Sequence, residues 1–189
     1  MKVLQVKYKI MNTEKYILKK INRYFESISK DRHIEISRDN SYEYIPTELD
    51  FIYKALMLID KKNSVKNKKF LDVGSGVGNM CGIAEMYELI AEGIEFNPVL
   101  FEIAKGIYPE VRFHNIDIKD FNDYNDYDII FYCVPLKDEE LQKSLKEKIE
   151  NQINVGTYII TRGPEIKDNR FISFNNDSFN NQIWLKIKQ

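Results

Sequence analysis

Two cysteines and two histidines are all that the 189 residues contain of the side chains that most often staple or metallate a fold. Cys81 and Cys133 are too few for a disulfide framework, and neither they nor His33 and His114 stand at zinc-ligand spacing. A disulfide scaffold and a structural metal are therefore not expected, and free thiols fit a reducing compartment. Long apolar runs are also missing. The longest, Ile129 to Val134, is far short of the ~20 residues that cross a bilayer. The opening MKVLQVKYKI is basic but lacks the apolar stretch of a secretory signal. A cytoplasmic protein with no membrane partner is the expectation. Alanine occurs only at positions 55, 84, 91 and 104, while Ile, Lys, Asn and Tyr abound. That skew reads as coding bias, so the Asn-rich patches carry no functional weight.

What is present suits one globular domain over residues 1–189. Hydrophobic residues make up 43% and aromatic residues 13%, enough to exclude a disordered chain. A chain of this length buries roughly 70% of its unfolded surface without staples. The net charge of −1 is unevenly divided. Residues 1–68 hold 15 Lys and Arg against 9 Asp and Glu, and residues 69–189 hold 13 against 20. A basic N-terminal third suits an acidic partner or nucleic acid, or else a solvated helix face, and the solvated face is the plainer reading.

Periodicity predicts a helix over Thr13 to Ser29, with Ile17, Ile21, Tyr24, Phe25 and Ile28 on one face. A second helix starts at a capping-box variant, Thr47 with Asp50, and buries Phe51, Ile52, Ala55, Leu56 and Ile59. These helices, over residues 1–60, form a helical N-terminal cap. From residue 69 onward strand and helix alternate. Strands are expected at Phe70–Val73, Ile90–Glu95, Val111–His114, Tyr127–Val134 and Gly156–Thr161, and in RFISF and QIWLKIK. Helices are expected at Asn79–Leu89, after Asn97–Pro98, and around Leu141, Leu145 and Ile149. Repeated βα units predict a doubly wound, mostly parallel sheet with helices on both faces. Such sheets bind ligands beyond the carboxyl ends of their strands, at the switch point beside the first.

FLDVGSGVGNM occupies that place. A triphosphate loop needs Lys followed by Ser or Thr after its last glycine, whereas Gly78 is followed by Asn79 and Met80. A dinucleotide fingerprint G-x-G-x-x-G puts its third glycine where Asn79 stands. A third ligand type packs against the loop with no pyrophosphate to bind. Glu95 ends the second strand 23 residues after Asp72, close to the interval at which an acid meets a ribose diol. Asp117 and Ile118 follow the third strand, where a carboxylate and a backbone N–H match the edge of adenine. Each residue alone also reads as a turn glycine or a helix cap. Their recurrence at three successive strand ends is what carries the argument.

The segments LDVGSGVGN, GIEFNP, NIDIKDF and YDIIFYCVPL resemble class I S-adenosylmethionine-dependent methyltransferases over about residues 42–164. The resemblance implies a seven-stranded sheet of order 3-2-1-4-5-7-6 with strand 7 antiparallel. It implies S-adenosylmethionine as cofactor, S-adenosylhomocysteine as product and no metal. By it, the loop residues Asp72, Gly74, Ser75, Gly76, Gly78 and Asn79 approach the methionine part. Glu95 holds the ribose, Asn97 beside it borders the cofactor, Asp117 and Ile118 hold adenine, and Phe96 packs on its ring. Cys133 to Pro135 lie near the sulfonium, and Tyr44 and Thr47 close over the methionine carboxylate. Tyr44, Tyr132 and Pro135 are the candidates to line the transfer point, where aromatic faces suit a cationic donor.

YCVPL lacks the Asn/Asp-Pro-Pro-aromatic tetrad of amino-methylating DNA enzymes, and Cys133 precedes rather than follows its proline. The acceptor is therefore expected to be a protein or a small molecule rather than a nucleic-acid base. YIPTELDF, GIEFNP and the segment after Pro135 add a weaker resemblance to the branch containing protein-lysine methyltransferases. Arg162 reads as a surface charge or a contact to an anionic substrate, and His114 as a strand residue. Two other functions stay open. One is a catalytically silent S-adenosylmethionine-binding module acting with a partner. The other is an NAD-dependent oxidoreductase.

Overall fold

The computed structural model describes residues 15–17, 19–20, 49–133, 136, 138–162, 165–174 and 183–189. Its strands are β1 (Lys69–Val73), β2 (Ile90–Ile94), β3 (Arg112–His114), β4 (Ile129–Tyr132), β5 (Tyr158–Thr161), β6 (Phe171–Ser173) and β7 (Ile183–Lys186). They form one sheet in the order β3-β2-β1-β4-β5-β7-β6. The first five are parallel to one another, and β7 runs antiparallel to both β5 and β6. The expected strand order is thus observed. β4 and β5 are buried along their whole length, as parallel strands covered on both faces must be.

Alternation sorts the strand residues between two cores. Phe70, Ile129, Phe131 and Ile160 face one side, where helices α1 (Leu49–Lys62), α2 (Asn79–Met86) and α3 (Pro98–Ile107) contribute Ile52, Leu56, Ile83 and Ile103. Leu71, Val73, Ile94, Ile130 and Ile159 face the other, beneath a 3₁₀ turn (Tyr124–Asp126) and α4 (Glu139–Gln152), which supplies Leu145 and Ile149. In α1, Ile52, Ala55, Leu56 and Ile59 are fully inaccessible. The segment expected as the inner part of a cap is therefore a structural layer of the sheet. Residues 15–17 and 19–20 are helical. Ile17 joins the α1–α3 core, and Lys20 pairs with Glu85 at 3.3 Å and also with Glu110.

Several expected boundaries moved: β4 begins at Ile129 rather than Tyr127 and β5 at Tyr158 rather than Gly156, and for two others the cause is local. The helix expected to reach Leu89 ends at Met86, because Glu88 takes a left-handed conformation (φ 58°) and turns the chain into β2. β3 begins at Arg112 rather than Val111, whose N–H is committed to a turn with the Tyr108 carbonyl at 3.1 Å. Among the described residues no helix is long and apolar enough to cross a membrane.

Candidate functional site

β1 and β2 run side by side with Asp72 opposite Gly93 and Val73 opposite Ile94, so both strands end at one level. The glycine loop is tied there. Gly74 N–H and Ser75 N–H both donate to the Ile94 carbonyl, at 3.0 and 2.8 Å. Gly74, Gly76 and Gly78 all have positive φ, at 80°, 53° and 81°, a region costly for residues with a Cβ. At Gly78 space is also short, since a Cβ would lie 2.6 Å from the Phe113 ring. The last glycine lets α2 start directly against the strand-3 side chain.

Glu95 is the centre of the arrangement. It is 9% exposed, and its two carboxylate oxygens accept from the backbone on either side of the crevice. Oε2 takes the Gly76 N–H at 2.8 Å and Oε1 takes the Asn97 N–H at 2.7 Å. Burial pushes this carboxyl above its usual range, while the two backbone donors act in the opposite sense. Asn97 then caps α3, accepting from Val99 and Leu100 N–H with Pro98 at the first helical position. Phe96, between these two, is 65% exposed.

Asn115, which the sequence reading did not single out, fixes this segment from just beyond the third strand. Its amide donates to the carbonyls of Glu95 and Phe96 at 2.8 and 3.0 Å. Its place one residue beyond a strand, level with Glu95, was the available signal. His114 is a strand residue as expected. Its carbonyl accepts the Glu95 N–H at 3.0 Å and its ring meets Glu92 at 2.7 Å. The Tyr127 hydroxyl donates to the same Glu92 oxygen at 3.0 Å.

Asp72, in contrast, is turned inward. It is 1% exposed, beneath α2, with Cys81 Sγ 4.0 Å from its Oδ2. Burial, reinforced by the charge of Glu95, pushes its pKa up to about 8. Ser75 is buried too, and its hydroxyl has no hydrogen-bond partner among the described residues. The side-chain oxygen of Asn79 is engaged by the Tyr108 hydroxyl at 3.1 Å. Asp117 closes a turn: one oxygen accepts Lys119 N–H at 2.9 Å and the other pairs with Lys119 Nζ at 3.0 Å. Ile118 is buried, and its carbonyl accepts from the Tyr124 hydroxyl.

Tyr132 lies at the end of β4 but belongs to the core beneath α4. It is 1% exposed, and burial raises its phenol well above the usual value. Strand alternation explains this placement. Tyr132 shares a face with Ile130, whereas its neighbour Cys133 packs against the opposite core on the α1 side. Cys133 is half-buried. Tyr44, Thr47 and Pro135 lie outside the described residues. Among those described, no group of three or more His, Cys, Asp or Glu is placed to hold a metal ion.

No protein-family model matches the chain. No curated protein matches it either. Solved structures do. An RNA methyltransferase from Salinibacter ruber in complex with S-adenosyl-L-homocysteine aligns with a TM-score of 0.57 at 18% identity, over 77% of this chain and 95% of that one. An S-adenosylmethionine-dependent methyltransferase from Clostridium acetobutylicum aligns at 0.53 and 14% identity, over 69% of this chain and 59% of that one. The sugar N-methyltransferase KedS8 from Streptoalloteichus aligns at 0.50 and 14%, over 71% and 61%. This chain thus spans about three fifths of the latter two. Its fold is the Rossmann-like fold of S-adenosylmethionine-dependent methyltransferases.

Proposed function

We propose that the chain is an S-adenosylmethionine-dependent methyltransferase. The observation that carries this reading is Glu95: a buried carboxylate at the end of β2, aimed by Gly76 N–H and Asn97 N–H. Each of its oxygens keeps a further lone pair, enough for the two hydroxyls of a ribose. The fit extends to the loop, where the buried Ser75 hydroxyl awaits a partner and the backbone turns left-handed beside the crevice. S-adenosylmethionine supplies, when bound, a methyl group activated on a positively charged sulfur. The protein's task is then binding, alignment and exclusion of water. Glu95 holds the ribose, and Asp117 with the Ile118 backbone borders the adenine. Phe96 covers the adenine ring with its exposed face. Gly74, Ser75, Gly76, Gly78 and Asn79 border the methionine part, with Asp72 beneath them. Thr47 and Tyr44 close over the methionine part. Cys133 borders the methyl, and the family resemblance assigns Pro135 and Tyr44 to the same transfer point.

The acceptor is a protein side chain or a small molecule rather than a nucleic-acid base, because the segment after β4 has Cys133 and a single proline where base amino-methylation needs an amide or acid and two prolines. The neighbouring folds act on RNA and on a sugar nitrogen, so the fold itself carries no acceptor identity. A second reading, a binding module without activity, gains support from Tyr132, whose ring is committed to the core. Calorimetry with S-adenosylhomocysteine and NAD, followed by transfer of labelled methyl to a cell extract, separates the readings. Binding of NAD alone sinks the proposal. Tight S-adenosylhomocysteine binding without transfer favours the silent module.

A further inference from the structure

We infer that Asn115 is a positioning residue for the cofactor: its side-chain amide holds Glu95 and Phe96 in the arrangement that receives adenosine. This deepens the methyltransferase reading and rests on it. β3 is an edge strand of the sheet, only three residues long, and its ladder with β2 ends at Ile94 opposite His114. One further backbone bond follows, from Glu95 N–H to the His114 carbonyl at 3.0 Å. There the two chains part. Asn97 turns one into α3, and the other enters a turn in which Asp120 N–H donates to the Asp117 carbonyl at 2.9 Å. The strand pairing stops before the carbonyls of Glu95 and Phe96, and the Asn115 amide takes both, at 2.8 and 3.0 Å.

A primary amide carries two N–H donors on one nitrogen, so it can serve two successive carbonyls at once. A serine hydroxyl has one donor, and a carboxylate has none. The strand end from which Asn115 projects is itself fixed. The His114 ring meets Glu92 Oε2 at 2.7 Å, the Tyr127 hydroxyl donates to the same oxygen at 3.0 Å, and Phe121 packs edge-on against the imidazole with ring centroids 5.7 Å apart. What the amide holds is the part of the chain that faces the ligand. Phe96 is 65% exposed, so burial of its ring does not fix the backbone around it. The Glu95 carboxylate is aimed separately, by Gly76 and Asn97 N–H. Residues 95–97 are thus defined before any ligand arrives, which removes an ordering cost from binding. A bracket that is structural alone shows in stability, whereas one that positions the cofactor residues shows in affinity.

The test uses the full chain and calorimetry with S-adenosylhomocysteine and with its 2′-deoxy analogue, beside urea unfolding of each protein without ligand. Asn115→Ala should bind S-adenosylhomocysteine roughly 5- to 30-fold more weakly, as expected for two lost neutral hydrogen bonds. Asn115→Asp keeps the shape and removes both donors, so it should lose at least as much, and it carries the comparison if Asn115→Ala fails to unfold cooperatively. The preference for ribose over 2′-deoxyribose, which Glu95 confers, should shrink in both variants. Asn115→Ala and Glu95→Ala combined should cost less than the product of their separate losses, since one acts through the other. Parent-like affinity in either variant overturns the inference, whether or not stability falls. An undiminished ribose preference, or losses that multiply fully, overturns it as well. S-adenosylhomocysteine that fails to bind the parent overturns the methyltransferase reading and this inference with it.

Discussion

Asp72→Asn should stabilise the ligand-free protein at alkaline pH and lose that advantage as the pH falls. Asp72 is wholly inaccessible between β1 and α2, and burial plus the Glu95 charge raises its pKa from 3.8 to about 8. The unfolded chain titrates this group near its ordinary value of about 3.9. Between the two values the native state holds a proton that the unfolded state has lost. The slope of unfolding free energy against pH is then negative, about 1.4 kcal/mol per unit. The favourable contribution is complete below about pH 4 and is lost progressively up to about pH 8. The full interval corresponds to about 6 kcal/mol. Relaxation and water entry around a buried charge reduce the realised cost, so about 2–4 kcal/mol is expected. Asparagine keeps the shape and carries no titrating proton. Urea unfolding of both proteins at pH 5 and pH 8.5 reads the effect; contributions from groups not coupled to Asp72 cancel in the difference, while those of its coupled neighbours Glu95 and Cys81 are counted with it. The advantage of Asp72→Asn should grow by about 2–4 kcal/mol between those conditions at constant m-value. A difference that stays flat with pH, or a parent that is the more stable protein at pH 8.5, refutes the account of Asp72 as a carboxyl held neutral by burial.

Glu95→Ala should weaken S-adenosylhomocysteine binding by about 1.5–3 kcal/mol, roughly 10- to 150-fold, as expected for lost hydrogen bonds to a charged group. Calorimetry reads this, and unchanged affinity removes Glu95 from the ribose site. Gly78→Ala should cost about 1–3 kcal/mol in urea unfolding, since it combines a φ of 81° with a Cβ 2.6 Å from Phe113. Native protein should react with a thiol reagent at Cys133 only, because Cys81 is fully buried and its thiol is pushed well above its usual range. Mass spectrometry of the labelled peptides checks this, and rapid modification of Cys81 would contradict its burial.

The order of elements was legible because each βα unit writes its own period, and because special positions announce themselves. Left-handed glycines at 74, 76 and 78 and the Asn97–Pro98 helix start are local requirements of backbone geometry. Glu95 was legible through spacing alone, since a strand end and a glycine loop fix where the next strand end falls. Boundaries were less so. Glu88 ends α2 by adopting a conformation that its residue type does not advertise.

Sequence by itself therefore determined the alternation of elements, the glycine loop and the acid one strand away. Tertiary structure decided which way the side chains at those strand ends point. Asp72 and Tyr132, both expected at the crevice, are held in the cores by strand alternation. Only register sets Arg162 beside Cys133, and only the packing of α1 brings Phe51 under its guanidinium. Asn115 acquires its role from a contact 20 residues back along the chain. Local preferences act over a few residues and leave their mark in the sequence. Pairing and packing join residues that are far apart, and no single stretch records them.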